Sequence, residues 1–140
     1  MKPRILLVDD DDNLLQGLRR MIRTLGCDWE LVFAGNGHEA LEQLTRAPFD
    51  VIVTDLFMPK KEGLETIREL RDLYPELKII AISGGGWTKS PRFLDMARNM
   101  GAHHTLYKPF HPQELIETVN GILQNGHLRL RSAASRAATK

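Results

Sequence analysis

Cysteine occurs once in the 140 residues, at Cys27, so neither an internal disulfide nor a cysteine-based zinc site can form within the chain. A lone thiol fits a reducing compartment. Long apolar runs are missing as well. After Met1-Lys2-Pro3-Arg4 the apolar stretch reaches only from Ile5 to Val8, with four aspartates behind it. That is too short for a signal sequence, and no other run approaches a membrane span. Nor does one sign of charge dominate: 19 basic and 18 acidic residues leave a net of +1, so no overall field draws the protein to nucleic acid. His38, His103, His104 and His111 fall in no metal-ligand spacing. With 42% apolar and 26% charged residues, the composition is that of a globular domain able to close one core without staples. The expectation is a single cytoplasmic domain.

Acidic residues end at Glu117. From Thr118 onward the charged residues are Arg129, Arg131, Arg136 and Lys140, a charge of +4, which leaves 15 basic and 18 acidic residues before them. Ser132 to Lys140 is mostly Ala, Ser and Thr without apolar periodicity. The expected organisation is a compact body over residues 1–124 and a short, mobile basic tail over 125–140.

Short β-rich runs recur five times: Ile5–Val8, Leu31–Phe33, Val51–Thr54, Lys78–Ile82 and His104–Tyr107. The first, third and fourth are nearly continuously apolar, as strands covered on both faces are. Helical stripes lie between them. Leu14, Leu18, Met21, Ile22 and Leu25 share one helix face. Ala40, Leu41 and Leu44 form a shorter stripe, opened by the capping pair Asn36 and Glu39. Leu64, Ile67, Leu70 and Tyr74 line a third helix that Pro75 stops. A fourth starts at Ser90-Pro91 and runs to Met100, before Gly101. Leu115, Val119, Ile122 and Leu123 mark a fifth, after Pro112. Such alternation predicts an α/β fold: a parallel sheet with right-handed crossovers and helices on both faces.

In sheets of this kind ligands bind beyond the carboxyl ends of the strands. The first strand ends in Asp9-Asp10, with Asp11 and Asp12 behind; the third ends in Asp55, the fourth in Ser83 and the fifth in Lys108-Pro109. The second ends in Ala34-Gly35, which carries no reactive group. In the order 2-1-3-4-5 the silent strand is at an edge and the four chemical ends are neighbours. Crowded carboxylates either share protons or hold a cation. Oxygen ligands without His or Cys favour Mg²⁺ or a similar ion. Lys108 adds a positive charge and Ser83 a hydroxyl, and together these make a cradle for a phosphoryl group. With no His or Cys nucleophile there, the acceptor is expected to be a carboxylate, Asp55. Plainer roles exist for each residue alone: Asp11 or Asp12 as a helix cap, Ser83 as an ordinary strand end, Lys108 as a solvated side chain.

Ile5-Leu6-Leu7-Val8-Asp9-Asp10-Asp11, Asp55-Leu56-Phe57-Met58-Pro59, Glu62-Gly63-Leu64-Glu65, Ser83-Gly84 and Lys108-Pro109-Phe110 resemble the receiver domain of bacterial two-component response regulators. Asn36-Gly37-His38-Glu39-Ala40-Leu41 and Gly101-Ala102 also match that family's connecting segments. The resemblance covers Arg4 to Gln124. It implies a flavodoxin-like, doubly wound five-stranded sheet in the order 2-1-3-4-5, an order known from a chemotaxis receiver. It further implies phosphorylation of Asp55 by a histidine kinase or histidine phosphotransfer protein. Mg²⁺ would be held by Asp9, Asp10, Asp55 and the backbone carbonyl of Phe57, with Ser83 and Lys108 on the phosphoryl group. A cis peptide bond before Pro109 belongs to the same pattern. The implied output is binding of a downstream protein through the fourth helix, fifth strand and fifth helix. Chemistry beyond phosphoryl acceptance and hydrolysis is not expected.

Two features depart from the family. Thr105 stands where an aromatic is usual, while Tyr107 lies two residues on and on the same strand face. The loop Gly84-Gly85-Gly86-Trp87-Thr88-Lys89-Ser90 is longer than the family's, and Trp87 is a candidate docking group or a local core residue. Lys89-Ser90 lacks the glycine spacing of a nucleotide loop. Leu14 and Arg20 stand where a calcium loop from Asp9 needs Gly and Glu. Phe57 replaces the second aspartate expected of an aspartyl phosphatase. The leading expectation is a stand-alone phospho-accepting switch. The alternatives are an adaptor that binds its partner without phosphorylation, and the receiver fragment of a longer transcriptional regulator.

Overall fold

A computed structural model describes residues 2–55, 63–83 and 91–131. Ten elements alternate along the chain: β1 (Arg4–Val8), α1 (Asp12–Thr24), β2 (Glu30–Ala34), α2 (Gly37–Arg46), β3 (Val51–Asp55), α3 (Gly63–Leu73), β4 (Lys78–Ser83), α4 (Pro91–Met100), β5 (His104–Tyr107) and α5 (Pro112–Arg131). The strands form one parallel sheet in the order β2-β1-β3-β4-β5, as the strand-end argument requires. Every expected strand is present, most of them a residue longer than their apolar run. Helix α5 carries the regular backbone seven residues past the expected boundary at Gln124, through Asn125 to Arg131.

Side chains alternate across the sheet and separate two apolar layers. On one face Leu6, Val8, Ile52, Ile79 and Ala81 pack against Ala40 and Leu44 of α2, Ile67 and Leu70 of α3, and Ala97 of α4. On the other, Ile5, Leu7, Val51, Val53, Ile80, Ile82 and Leu106 pack against Leu15, Leu18 and Ile22 of α1 and Leu115, Ile116 and Val119 of α5. β1, β3 and β4 are buried on both faces, which is why they read as unbroken apolar runs. Each large side chain so enclosed contributes about 1.5–3 kcal/mol of hydrophobic stabilisation.

Local signals set the helix ends. Asp11 caps α1 by accepting the Leu14 N–H at 3.2 Å, so the plainer reading of that aspartate holds. Asn36 caps α2 by accepting the Glu39 N–H at 3.0 Å, and its side-chain amide donates to Glu39 Oε2 at 2.9 Å. The return contact is thus between side chains, where a capping box uses the cap's backbone N–H. After α4, Gly101 takes φ +126°, and the N–H groups of Gly101 and Ala102 donate to Arg98 and Ala97 carbonyls. The stem of Arg71 fills the space beside it: a Cβ at Gly101 would lie 2.9 Å from Arg71 Cδ.

The amino end of the sheet is tied down by Arg4. Its N–H donates to Asp50 Oδ2 at 2.8 Å and its Nη1 donates to the Pro48 carbonyl at 3.0 Å. Its guanidinium lies 4.5 Å from the Phe49 ring centre. Nε stands 2.9 Å from Glu30 Oε2 as an ion pair, without the alignment of a hydrogen bond. A groove of about 1030 Å³ opens at this same end, lined by Pro48, Leu73, Pro75, Leu77, Ile122 and Leu123. It lies away from the chemical groups.

Candidate functional site

The carboxyl end of the sheet gathers residues 99 and 53 positions apart in the chain. Asp9 follows β1, held to β2 because its N–H donates to the Ala34 carbonyl at 3.1 Å. The Asp11 N–H turns back to donate to Asp9 Oδ1 at 2.9 Å. Asp55 is the last residue of the central strand β3 and is buried. Lys108 arrives from β5, registered by its own N–H donating to the Ser83 carbonyl at 2.7 Å. Its Nζ donates to Asp9 Oδ2 at 2.7 Å and to Asp55 Oδ2 at 2.8 Å. The Lys108–Pro109 peptide is cis, as expected.

Burial alone would lower the Lys108 pKa. The hydrogen bonds it donates to Asp55 and Asp9, and their charges, outweigh it and hold the ammonium above the ordinary lysine value. Two carboxylates only 4% and 6% exposed therefore share one cation that is itself 24% exposed.

Asp10 stands exposed beside this pair. One carboxylate oxygen from each of Asp9, Asp10 and Asp55 lies within 4.8 Å of the others. Three carboxylates against one ammonium leave a formal charge of −2, which a divalent cation balances. The donors are all oxygen, one of them solvent-facing, and that suits a hard ion such as Mg²⁺ that keeps part of its water shell. Of the sequence-derived site residues, Asp9, Asp10, Asp55 and Lys108 come together here. Ser83 is fully buried at the end of β4, opposite Tyr107 in the β4–β5 register, and is hydrogen-bonded. Phe57, the expected carbonyl ligand, and the Gly84–Ser90 loop with Trp87 lie outside the described residues.

On β5, Thr105 is half-buried and Tyr107 is 41% exposed on the same strand face, while Leu106 points the other way into the α1–α5 layer. Two contributors escape a motif reading. Thr54, buried beside Asp55, donates from Oγ1 to the Asp55 carbonyl at 3.4 Å, and its polar character within an apolar run was the available signal. His103 donates its N–H to the Ile79 carbonyl at 2.7 Å, and its Nδ1 accepts the Ile79 N–H at 3.1 Å. The imidazole thus extends the β4–β5 ladder by one bond, and nothing in the spacing of histidines announces it. Among the described residues no helix is long and apolar enough to cross a membrane.

The model of the response regulator receiver domain matches residues 5–120. Over 120 residues the chain is 31% identical to the response regulator receiver protein CpdR of Brucella abortus, covering 86% of this chain and 96% of that protein. It is 35% identical over 138 residues to the response regulator MprA of Mycobacterium ulcerans, covering 99% of this chain and 57% of the relative. The transcriptional regulatory protein CpxR of Escherichia coli is 32% identical over 124 residues, 89% of this chain and 50% of CpxR. The chain therefore spans about half the length of two of these relatives and nearly all of the third. Among solved structures, a CheY-like receiver domain protein from Methanospirillum hungatei superposes with a TM-score of 0.82 at 26% identity, over 92% of this chain and 99% of that one.

Proposed function

Because the chain belongs to the response regulator receiver domain family, we propose that it is a signalling switch that accepts a phosphoryl group on Asp55 from a histidine kinase or a histidine phosphotransfer protein, and that this changes its binding to a downstream protein. The observation that carries the reading is the Lys108 ammonium held 2.8 Å from Asp55 and 2.7 Å from Asp9 at the carboxyl end of a central strand.

In this reading an Asp55 carboxylate oxygen attacks the phosphorus of a phosphohistidine. The new O–P bond forms as the P–N bond breaks, and the electron pair leaves with the imidazole, which takes its proton from water. Asp55 loses its negative charge on becoming an acyl phosphate, so Lys108 follows the charge to a phosphoryl oxygen while keeping Asp9. Ser83, at the neighbouring strand end, supplies a hydroxyl to another. Asp9, Asp10 and Asp55, with the carbonyl of Phe57, would hold Mg²⁺, whose charge offsets that of the phosphoryl oxygens. Hydrolysis reverses the state: water attacks phosphorus, the P–O bond to Asp55 breaks, and phosphate leaves. The new charge then biases a pre-existing two-state element, the α4–β5–α5 face being the one that contacts the target. The reading assigns the protein to the cytoplasm and gives it no chemistry beyond its own phosphorylation and dephosphorylation.

A second reading, an adaptor that binds its partner without phosphate, draws on Thr105 in place of the family's aromatic and on Tyr107 already turned outward. The length of the curated relatives keeps a third reading in play, the receiver portion of a longer transcriptional regulator. Intact mass after incubation with acetyl phosphate, with Mg²⁺ and then with chelator, decides the switch chemistry. The expected result is one phosphoryl group gained only with Mg²⁺ and only by the wild type, with none on Asp55→Asn. Equal gain by Asp55→Asn would overturn the assignment. Unchanged target binding by Asp55→Asn would favour the adaptor.

A further inference from the structure

We infer that the outer edge of β2 is a strand-addition site for an extended acidic segment of a partner protein. In the parallel register with β1, the Glu30 N–H donates to the Pro3 carbonyl and the Ala34 carbonyl accepts from Asp9, so Glu30, Val32 and Ala34 turn their main-chain groups inward. Leu31 and Phe33 therefore turn theirs outward, two donors and two acceptors on an edge that no described residue pairs. Their side chains and that of Val32 are only half-buried, on alternate faces of the strand.

The charge beside this edge selects the occupant. Arg19, Arg20 and Arg23 of α1 are exposed, and Arg19 lies 5.8 Å from the Phe33 ring centre. Arg23, one helical turn on, is displaced about 6 Å towards the start of β2, because α1 runs against the strand. Lys2, Arg4, Arg46 and Lys108 have carboxylate partners, while Arg68, Arg71, Lys78 and Arg98, carried by α3, β4 and α4, have none among the described residues. The α1 arginines have none either, since α1 carries its acid at Asp12 and Glu30 is engaged by Arg4, and what sets them apart is the place of Arg19 over Phe33 of β2. Pairing with a second copy of β2 would set two such arginine groups against each other. A nucleic acid has no backbone that pairs with a strand edge. An extended peptide with glutamates on alternate residues satisfies both the main-chain groups and the arginines.

The test titrates the full ¹⁵N-labelled chain with the capped peptide acetyl-Glu-Val-Glu-Val-Glu-amide. Main-chain pairing predicts amide exchange at Leu31 and Phe33 slowed by at least about tenfold at saturation. The same peptide with every amide N-methylated should not bind, nor should one with lysine for glutamate. Affinity should fall with added salt, and by about tenfold in a folded Arg19→Glu, Arg23→Glu variant. Since the N-methyl comparison uses the wild type, a failure of that variant to fold leaves the test intact. Equal binding of the N-methylated peptide, shifts confined to another face, or no shift at millimolar peptide would each overturn the proposal. So would a dimer by sedimentation that protects Leu31 and Phe33 without peptide.

Discussion

At the amino ends of β1 and β3, Arg4 contacts Pro48, Phe49, Asp50 and Glu30; at the carboxyl ends of the same two strands, Lys108 is shared by Asp9 and Asp55. The contacts of Arg4 differ in kind: an aromatic face, a carbonyl and two carboxylates. The three carboxylates at the opposite end exceed their one ammonium. One sheet therefore has an end where one guanidinium meets two carboxylates, a carbonyl and a ring, and an end where one ammonium meets three clustered carboxylates and is two charges short. The deficit is what a divalent cation would offset, and its cost is electrostatic repulsion when none is present.

Removing each cation should separate the two ends, with the largest effect at Lys108. Lys108→Ala takes the shared ammonium from two buried carboxylates, and an unfolding titration without metal is expected to show a loss of about 3–4 kcal/mol. Saturating Mg²⁺ should restore part of that loss, since an ion held only by the folded cluster would stabilise it. Arg4→Ala should cost about 2 kcal/mol from its lost carbonyl bond, ion pair and ring contact, and Mg²⁺ should restore none of it. Phosphoryl uptake by the Arg4 variant, read by mass, should match the wild type. If Mg²⁺ rescues both variants equally, the contrast between the ends is wrong.

Smaller effects sharpen the same contrast. His103→Ala strips the acceptor from the buried Ile79 N–H and should cost about 1–2 kcal/mol, with His103→Asn recovering part of it through its side-chain oxygen. The smallest effect concerns pH. Because the folded-state pKa of Lys108 is raised, its contribution is complete below the unfolded lysine value of about 10.4 and fades as pH rises through the higher folded value. The stability difference between wild type and Lys108→Ala should therefore be constant from neutral to mildly alkaline pH and narrow in strong alkali.

Much of this was legible beforehand because it rests on short-range rules. Apolar runs gave strands, Asp11 and Asn36 gave caps, and reading the strand ends in the order 2-1-3-4-5 brought Asp9, Asp10, Asp55 and Lys108 together. What escaped depends on distance in the chain. That one ammonium would bond both Asp9 and Asp55, rather than simply lie near them, follows from three strand ends meeting. That Arg4 would find Asp50, or that an imidazole would take the place of a backbone acceptor at Ile79, follows from register. The extension of α5 past Gln124 escaped for another reason: residues 125–131 lack the apolar stripe by which a helix is recognised, and backbone hydrogen bonding continued without it.

β5 has a consequence for how the chain can vary in length. His103 fastens its start to Ile79, and the Lys108 N–H fastens its end to Ser83, with four strand residues between. The strand thus works as a ruler that sets where the ammonium falls. One residue added or removed would turn the lysine to the opposite face, and two would carry it roughly 6.6 Å along, past both carboxylates. Insertions and deletions that preserve the charge arrangement are confined to the turns outside those two fastenings.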